Sequence, residues 1–446
     1  MSDDATAGGP VEARLPAWAA DYWANDLVKI GATLAAVYAV YLVIGALLGY
    51  DLSGQLNSLR RLTFLIVLYS IAALVVNLHW GYSGLFNIGV VGFMATGVYT
   101  TTMLSRPLQG QNPTGTLPGL GLPFPVAVVG GVLAAAAVGY VAALPSLRLR
   151  DDYFAIVTLA FAEIIRITVK ASELQEFTVF GVTLGTGGGR GIRTYPNPVD
   201  EFFAGPGQPV VEAVSALGVD GSLVAGWAFV LVLVVLLAGV YLLITRLAES
   251  PFGRVLKAIR DDEQATLGLA KDTASFKIRA FIVGCAVLGL LGIVWQGSQG
   301  YVSPSLFIPQ LTFFIWIAVI VGGAGSNTGS IVGTILFVGV VYLGPDYLRR
   351  LVEEYVSLSG SVPTFPGAVG ALAGGDPQGV LLYTLDQTST LRVVLTGVFL
   401  VWLLRTNPDG LFGDRREIAS SIDLEDRVER RRARGDADGQ EGGGSE

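Results

Sequence analysis

Long apolar runs without charge constrain this chain more than any other feature of its sequence. Residues 223–244 form a run of 22 residues that has no charged side chain. A helix needs about 20 apolar residues to cross the hydrocarbon core of a bilayer, where each spanning backbone group must find its hydrogen-bond partner within the protein. Such runs predict an all-α, polytopic helical membrane protein with about ten membrane segments, at 31–49, 62–79, 83–103, 123–144, 153–171, 223–244, 277–296, 309–323, 329–343 and 391–404. The segment 309–323 is short enough to be re-entrant instead.

The composition supports this fold class. Hydrophobic residues make up 52% of the chain and charged residues only 15%, whereas soluble proteins have about 25% charged residues. Glycine occurs 58 times, which favours closely packed membrane helices. These values exclude a soluble globular enzyme, a disordered protein and a coiled coil.

Charge divides the chain into three parts. Residues 1–28 form an acidic tail with five acids and one Arg, and residues 414–446 form a charged tail with ten acids and seven Arg. The predicted membrane domain, residues 29–413, is balanced, with 21 acids and 21 bases. Acidic tails combined with only five lysines against 24 arginines are typical of proteins from a salt-rich cytoplasm.

The distribution of basic residues predicts the orientation in the membrane. Short cytoplasmic loops carry an excess of Lys and Arg. The loop 245–279 has seven bases and the loop 297–310 has none. We therefore expect both tails and a coupling segment at 250–275 in the cytoplasm, and an external insertion at 345–390. Within that insertion, 346–358 has the spacing of an interfacial amphipathic helix, and the Gly/Pro-rich stretch 359–380 is expected to be poorly ordered.

The most informative polar stretch begins at Ser250 and ends at Lys277, between two strong spans. Pro251 suits the first turn of a helix, and Val255, Ile259 and Asp262 or Glu263 follow at helical spacing. One face would be apolar and the other charged. This pattern favours a helix that docks a cytoplasmic partner, with a solvated connector as the alternative.

This stretch resembles the cytoplasmic loop of branched-chain amino acid ABC transporter permeases, the LivM-type subunit. That loop runs Gly-Arg-Ala-Leu-Arg-Ala-Ile-Arg, then Glu-Asp-Glu, then an Ala-Ala pair and a Gly. The matching residues are Gly253, Arg254, Leu256, Ala258, Ile259, Arg260, Asp262, Glu263 and Ala265. The chain departs at Thr266, where a second Ala is expected. It also departs at Ala270, where the family has Gly, so the sequence does not predict the tight turn that Gly permits.

Further blocks resemble the same family in the same order, and the resemblance covers roughly residues 60–413. The blocks lie at 81–89, 147–159, 163–166, 186–192, 321–326 and 407–413.

The resemblance implies a permease subunit of an ATP-driven importer that moves branched-chain amino acids across the plasma membrane. It implies a second homologous permease subunit, two cytoplasmic ABC ATPase subunits that hydrolyse the ATP, and an external substrate-binding protein. The expected ATPase-coupling residues are Arg254, Ile259, Arg260, Asp262, Glu263 and Ala265. No cofactor and no nucleic acid are expected. Relatives of this family that move urea, short amides or other amino acids remain alternatives for the substrate.

Two groups of residues are candidates for the translocation path or its gate. Glu163 and Arg166 are three residues apart within one predicted span, and charges at that depth are costly unless paired, so we expect them to pair and to face the bundle interior. A structural ion pair that locks neighbouring helices is the alternative. Gly84, Asn87 and Gly89 lie at the start of the span 83–103, where glycines allow either a broken helix that lines a path or simple close packing.

Other kinds of site are not supported. The glycine run 185–191 lacks the Gly-x-x-x-x-Gly-Lys-Ser/Thr pattern of a phosphate-binding loop, and that pattern is absent from the whole chain. One Cys and one His exclude an internal disulfide and a His-rich metal site. The main alternative to the ATP-driven permease is a secondary transporter, which needs an unpaired intramembrane acid, and Glu163 has Arg166 as its evident partner.

Overall fold

The computed structural model describes most of the predicted membrane domain. The described residues are 26–108, 117–146, 151–179, 181–195, 197–355, 364–375, 379–380, 383–384, 387–408 and 410–412. The C-terminal tail 414–446, residues 1–25 of the N-terminal tail and parts of the insertion 345–390 lie outside these residues.

The described residues are predominantly helical. The helices are α1 (Asp26–Leu47), α2 (Leu52–Val76), α3 (Val90–Ser105), α4 (Phe124–Ser146), α5 (Asp151–Lys170), α6 (Pro198–Ala204), α7 (Gln208–Ala216), α8 (Ser222–Glu249), α9 (Pro251–Asp261), α10 (Glu263–Gly268), α11 (Thr273–Gln296), α12 (Pro309–Gly322), α13 (Asn327–Leu336), α14 (Gly344–Tyr355), α15 (Phe365–Ala373) and α16 (Thr388–Thr406). Wider π-helical turns continue α2 over Asn77–Tyr82 and α13 over Phe337–Tyr342.

The prediction of an all-α polytopic membrane protein is confirmed. Each of the ten predicted segments overlaps a helix of the structure, although residues 83–89 of the segment 83–103 are not helical. Seven helices among the described residues are long and apolar enough to cross a membrane. The number ten remains a prediction, because α3, α5 and α16 are not among these seven.

Helix α2 lies at the centre of the bundle. Of its most apolar stretch 89% is buried, against 17% for α1 and 22% for α8. Helices α3, α4 and α11 pack together in one group, and α12 packs against α13. Glycine permits the closest approach, since a Cβ atom added at Gly97 of α3 would lie 2.3 Å from the carbonyl oxygen of Gly289 in α11. The close helix packing expected from the glycine content is therefore present.

One end of the bundle, which the basic-residue pattern assigns to the outside, carries two short antiparallel pairs of strands. Strand β1 (Phe177–Val179) pairs with β2 (Val182–Leu184), and β3 (Ile192–Arg193) pairs with β4 (Tyr301–Val302). The second pair joins the long loop after α5 to the loop after α11.

The insertion 345–390 differs in part from expectation. The predicted amphipathic helix at 346–358 is present as α14 as far as Tyr355, and residues 356–358 lie outside the described part. The expectation that 359–380 is poorly ordered is wrong for Phe365–Ala373, which form α15. The reason is local: the Thr364 side chain caps the helix by accepting a hydrogen bond from the Gly367 amide at 3.4 Å, and Pro366 stands in the first turn.

Candidate functional site

The polar insert between α8 and α11 folds into two short capped helices. Ser250 Oγ accepts a hydrogen bond from the Gly253 amide at 3.3 Å, which starts α9 where Pro251 predicted a helix start. Asp262 has extended backbone and its Oδ1 accepts from the Ala265 amide at 2.9 Å, which starts α10. The expected single helical face through Asp262 is wrong, because Asp262 serves as a cap and breaks the helix there.

The apolar face of α9 packs on the chain's own membrane helices. Leu256 and Ile259 are buried, and the ring of Phe252 stacks on that of Phe276 in α11, with 5.3 Å between their centroids. A Cβ atom at Gly253 would lie 2.3 Å from the Ala248 carbonyl oxygen, so α9 sits close against the end of α8. Ile259 therefore anchors the segment from inside and offers no surface to a partner.

The other face of the insert is polar and open. Arg254, Asp262 and Ala265 are exposed. Glu263 is held toward the bundle by Lys277 of α11, with 2.7 Å between Oε2 and Nζ. Leu267 and Leu269 follow directly and are 51% and 73% exposed. Two exposed leucines beside exposed charges make a surface suited to a protein partner.

Arg260 connects α9 to the break between α2 and α3. Its Nη1 donates a hydrogen bond to the Gly81 carbonyl oxygen at 2.5 Å, while Nε and Nη2 contact Asp261 Oδ1 at 3.1 and 3.0 Å. Lys257, one turn earlier, places its ammonium 5.5 Å from the centroid of the Tyr82 ring. The insert therefore contacts the segment 77–89 at two residues, Gly81 and Tyr82.

The segment 83–89 leaves the helical conformation, so the broken-helix alternative describes it. Gly84 has φ +73°, a value that favours glycine. Asn87 is buried: its Oδ1 accepts from the Gly89 amide at 2.8 Å, and its carbonyl oxygen accepts from Trp316 Nε1 at 3.0 Å. The segment also packs closely against α5, since a Cβ atom at Gly89 would lie 2.5 Å from the Thr158 carbonyl oxygen. That these residues line the translocation path or its gate stays a prediction.

The turn between α12 and α13 meets the same segment. The Gly325 amide donates to Asn77 Oδ1 at 2.7 Å, and Asn77 Nδ2 donates to Asn327 Oδ1 at 3.0 Å. Asn327 Nδ2 in turn donates to Thr245 Oγ1 of α8 at 3.0 Å. Sequence reasoning missed this network, although amides inside apolar spans such as Asn77 and Asn327 were a usable signal.

The end of the described chain also reaches this place. The amides of Leu411 and Phe412 donate to the carbonyl oxygens of Val321 and Gly322, each at 3.0 Å. Blocks that are far apart in the sequence, at 81–89, 250–265, 321–326 and 410–412, thus come together at one end of the bundle. We call this assembly the coupling junction.

The Glu163–Arg166 pair is separate from the coupling junction. Arg166 Nε donates to Glu163 Oε2 at 2.8 Å, and Nη2 contacts Oε1, so the predicted pairing is confirmed. The expectation that the pair faces the bundle interior is wrong for this chain: the side chains are 35% and 23% exposed. The reason is that α5 turns its buried residues, among them Phe154 and Ala162, toward its neighbours and leaves the pair on its outer side.

The family of the chain follows from comparison with known proteins. Residues 58–362 match the family described as "Branched-chain amino acid transport system / permease component". The high-affinity branched-chain amino acid transport system permease protein LivM of Escherichia coli (strain K12) is 32% identical over 329 residues, which are 72% of this chain and 70% of that protein. LivM of Salmonella typhimurium is 31% identical over 72% of this chain and 69% of its own length. A probable LivM of Methanocaldococcus jannaschii is 26% identical over 62% and 78%.

No solved structure matches the chain. The family match and the relatives cover more than half of the chain and agree with the helical bundle and its apolar spans. The chain is therefore a multi-pass membrane protein that belongs to the branched-chain amino acid transport permease family.

Proposed function

We propose that this chain is the membrane-spanning permease subunit of an ATP-driven importer that carries branched-chain amino acids across the plasma membrane. The observation that carries the proposal is the insert of α9 and α10, which is anchored to the bundle and presents Leu267, Leu269 and exposed charges away from it. Since the chain has no phosphate-binding loop, ATP binding and hydrolysis belong to two separate cytoplasmic ATPase subunits, for which this surface is the docking site.

The complete transporter has further parts. A second homologous permease completes the membrane unit, and an external binding protein delivers the amino acid and sets most of the specificity. Both tails and the insert lie in the cytoplasm. In support of this orientation, residues 411–412 contact the α12–α13 turn at the same end of the bundle as the insert.

The contacts of the coupling junction support a mechanism for this importer. The ATPase subunits bind α9 and α10. When these subunits close on nucleotide, α9 and α10 move with them. Arg260 passes this motion to Gly81 and the non-helical segment 83–89, and Asn77 passes it to the α12–α13 turn and α8. A bundle of closely packed helices responds by rocking between discrete arrangements rather than by local deformation. Access to the translocation path then alternates between the two sides.

The docking surface is tested by charge substitution with a matched control. Leu267→Glu and Leu269→Glu place a carboxylate on the docking surface. Leu217→Glu makes the same change at an 81% exposed leucine beside α7, far along the chain from the insert. We expect the first two variants to lose the ATPase subunits on purification in mild detergent and the control to keep them. Equal retention in all three would contradict docking at α9 and α10.

The substrate is tested separately. Proteoliposomes that contain the full complex, with ATP inside and the binding protein outside, should accumulate leucine, isoleucine and valine. Accumulation of urea or short amides, without these amino acids, would assign the chain to a different substrate class.

A further inference from the structure

The outer side of α5 differs in composition from the exposed faces of α4 and α8. The face consists of Tyr153, Ile156, Ala160, Glu163, Ile164 and Ile167, which we call the α5 face. Its four large hydrophobic residues are each more than half exposed. Their spacing of three or four residues places them on one side of the helix together with Glu163.

Two other exposed faces provide the comparison. Helix α4 exposes Val129, Leu133 and Val141, and helix α8 exposes Leu231 and Val235, all of them more than half exposed. Residues 124–144 and 222–245 contain no charged side chain. These two faces have the composition expected for contact with lipid chains, which offer no partner to a charge.

The α5 face does not have that composition. Glu163 lies seven residues before the end of α5 at Lys170, about 10 Å along the helix axis, and it carries a charge that is costly in hydrocarbon even when it is paired. The pair leaves part of both side chains uncovered. Intramembrane charges lie as a rule against protein or a water-filled cavity, so the α5 face needs a cover other than lipid.

We propose that a second permease chain packs on the α5 face and covers the Glu163–Arg166 pair. This inference rests on the proposed function, which supplies a second membrane subunit. Ala160 and Thr168 are exposed on this side of the helix, and small residues allow a neighbouring helix to approach closely. The pair is neutral as a whole, so the partner helix meets it with uncharged hydrogen-bonding groups, which accept from the remaining Arg166 N–H groups.

The contact is tested by site-specific photocrosslinking in membranes that hold the complete transporter. The photoreactive residue p-benzoylphenylalanine replaces Ile156 or Ile167 on the α5 face. In the controls it replaces Leu133 on α4 or Val235 on α8, which are exposed to a similar degree. We expect an adduct of this chain with a second permease from the two α5 positions, at least tenfold above the two control positions. Adducts with lipid alone from α5, or permease adducts at equal yield from α4 or α8, would overturn the inference.

A second measurement removes the charge. The double variant Glu163→Leu, Arg166→Leu gives α5 the same composition as the faces of α4 and α8. We expect it to stay in the membrane and to bind the ATPase subunits through α9 and α10, but to lose most of the second permease on purification. Full retention of the second permease would overturn the α5 assignment. A purified wild-type complex that holds the ATPase subunits but no second permease would instead contradict the proposed composition of the transporter.

Discussion

Replacing Arg260 by Met tests whether the coupling junction transmits motion. Met keeps much of the aliphatic length of the side chain and removes the hydrogen bond from Nη1 to the Gly81 carbonyl oxygen at 2.5 Å. Hydrogen bonds from a charged group contribute about 1.5–3 kcal/mol. Because the Arg260 side chain is 39% exposed, we take the lower end, about 1.5 kcal/mol, which corresponds to about a tenfold change in an equilibrium constant.

The assay compares leucine uptake with ATP hydrolysis in proteoliposomes that hold the complete transporter. We expect Arg260→Met to lower the leucine transported per ATP hydrolysed by about tenfold, while the ATPase subunits stay bound and hydrolyse ATP. Arg405→Met, at an exposed arginine near the end of α16, is the control for charge removal and should retain the wild-type ratio. An unchanged ratio in Arg260→Met would refute transmission through Gly81, and loss of the ATPase subunits would assign Arg260 to docking instead.

Three further substitutions test the geometry of the chain. Ala270 is exposed and has φ +57°, a left-handed backbone conformation that costs a non-glycine residue about 1–2 kcal/mol. Ala270→Gly removes this cost and adds about 0.5–1 kcal/mol of backbone entropy loss on folding. The melting temperature in detergent should therefore rise, and a fall would contradict the strain. Arg166→Ala leaves Glu163 unpaired and should be less stable in the assembled complex than Arg166→Ala combined with Glu163→Ala, by about 1 kcal/mol; the reverse order in the same melt would count against pairing. Gly89→Ala pushes a methyl group toward the Thr158 carbonyl oxygen and should cost about 1–3 kcal/mol, a prediction that an unchanged melting temperature would refute.

Features that depend on neighbouring residues were predictable from the sequence. All ten predicted membrane segments overlap helices, because apolar length is a local property that the bilayer itself selects. The start of α9 at Pro251 was predictable because Ser250 and Pro251 supply the cap and the first turn by themselves. The ion pair of Glu163 and Arg166 was predictable for the same reason, since residues three apart meet on one helix.

Features that depend on distant partners were not predictable. Asn77 and Asn327 are bonded across 250 residues of sequence, and no spacing rule brings them together. The outward direction of Glu163 depends on which side of α5 packs against α3, which the residues of α5 do not specify. The turn at Ala270 illustrates a third limit: the sequence lacks the glycine that would predict the turn, yet Ala270 adopts the left-handed conformation because the chain between α10 and α11 requires it.

The central claim is that this chain transports only as part of an ATP-driven assembly, and uptake by defined proteoliposomes tests it most directly. Vesicles are prepared either with this chain alone or with the complete set of two permeases, ATPase subunits and binding protein. The account predicts accumulation of leucine only by the complete set and only with ATP inside. Uptake by this chain alone, without ATP and driven by an ion gradient, would contradict the account and establish a secondary transporter.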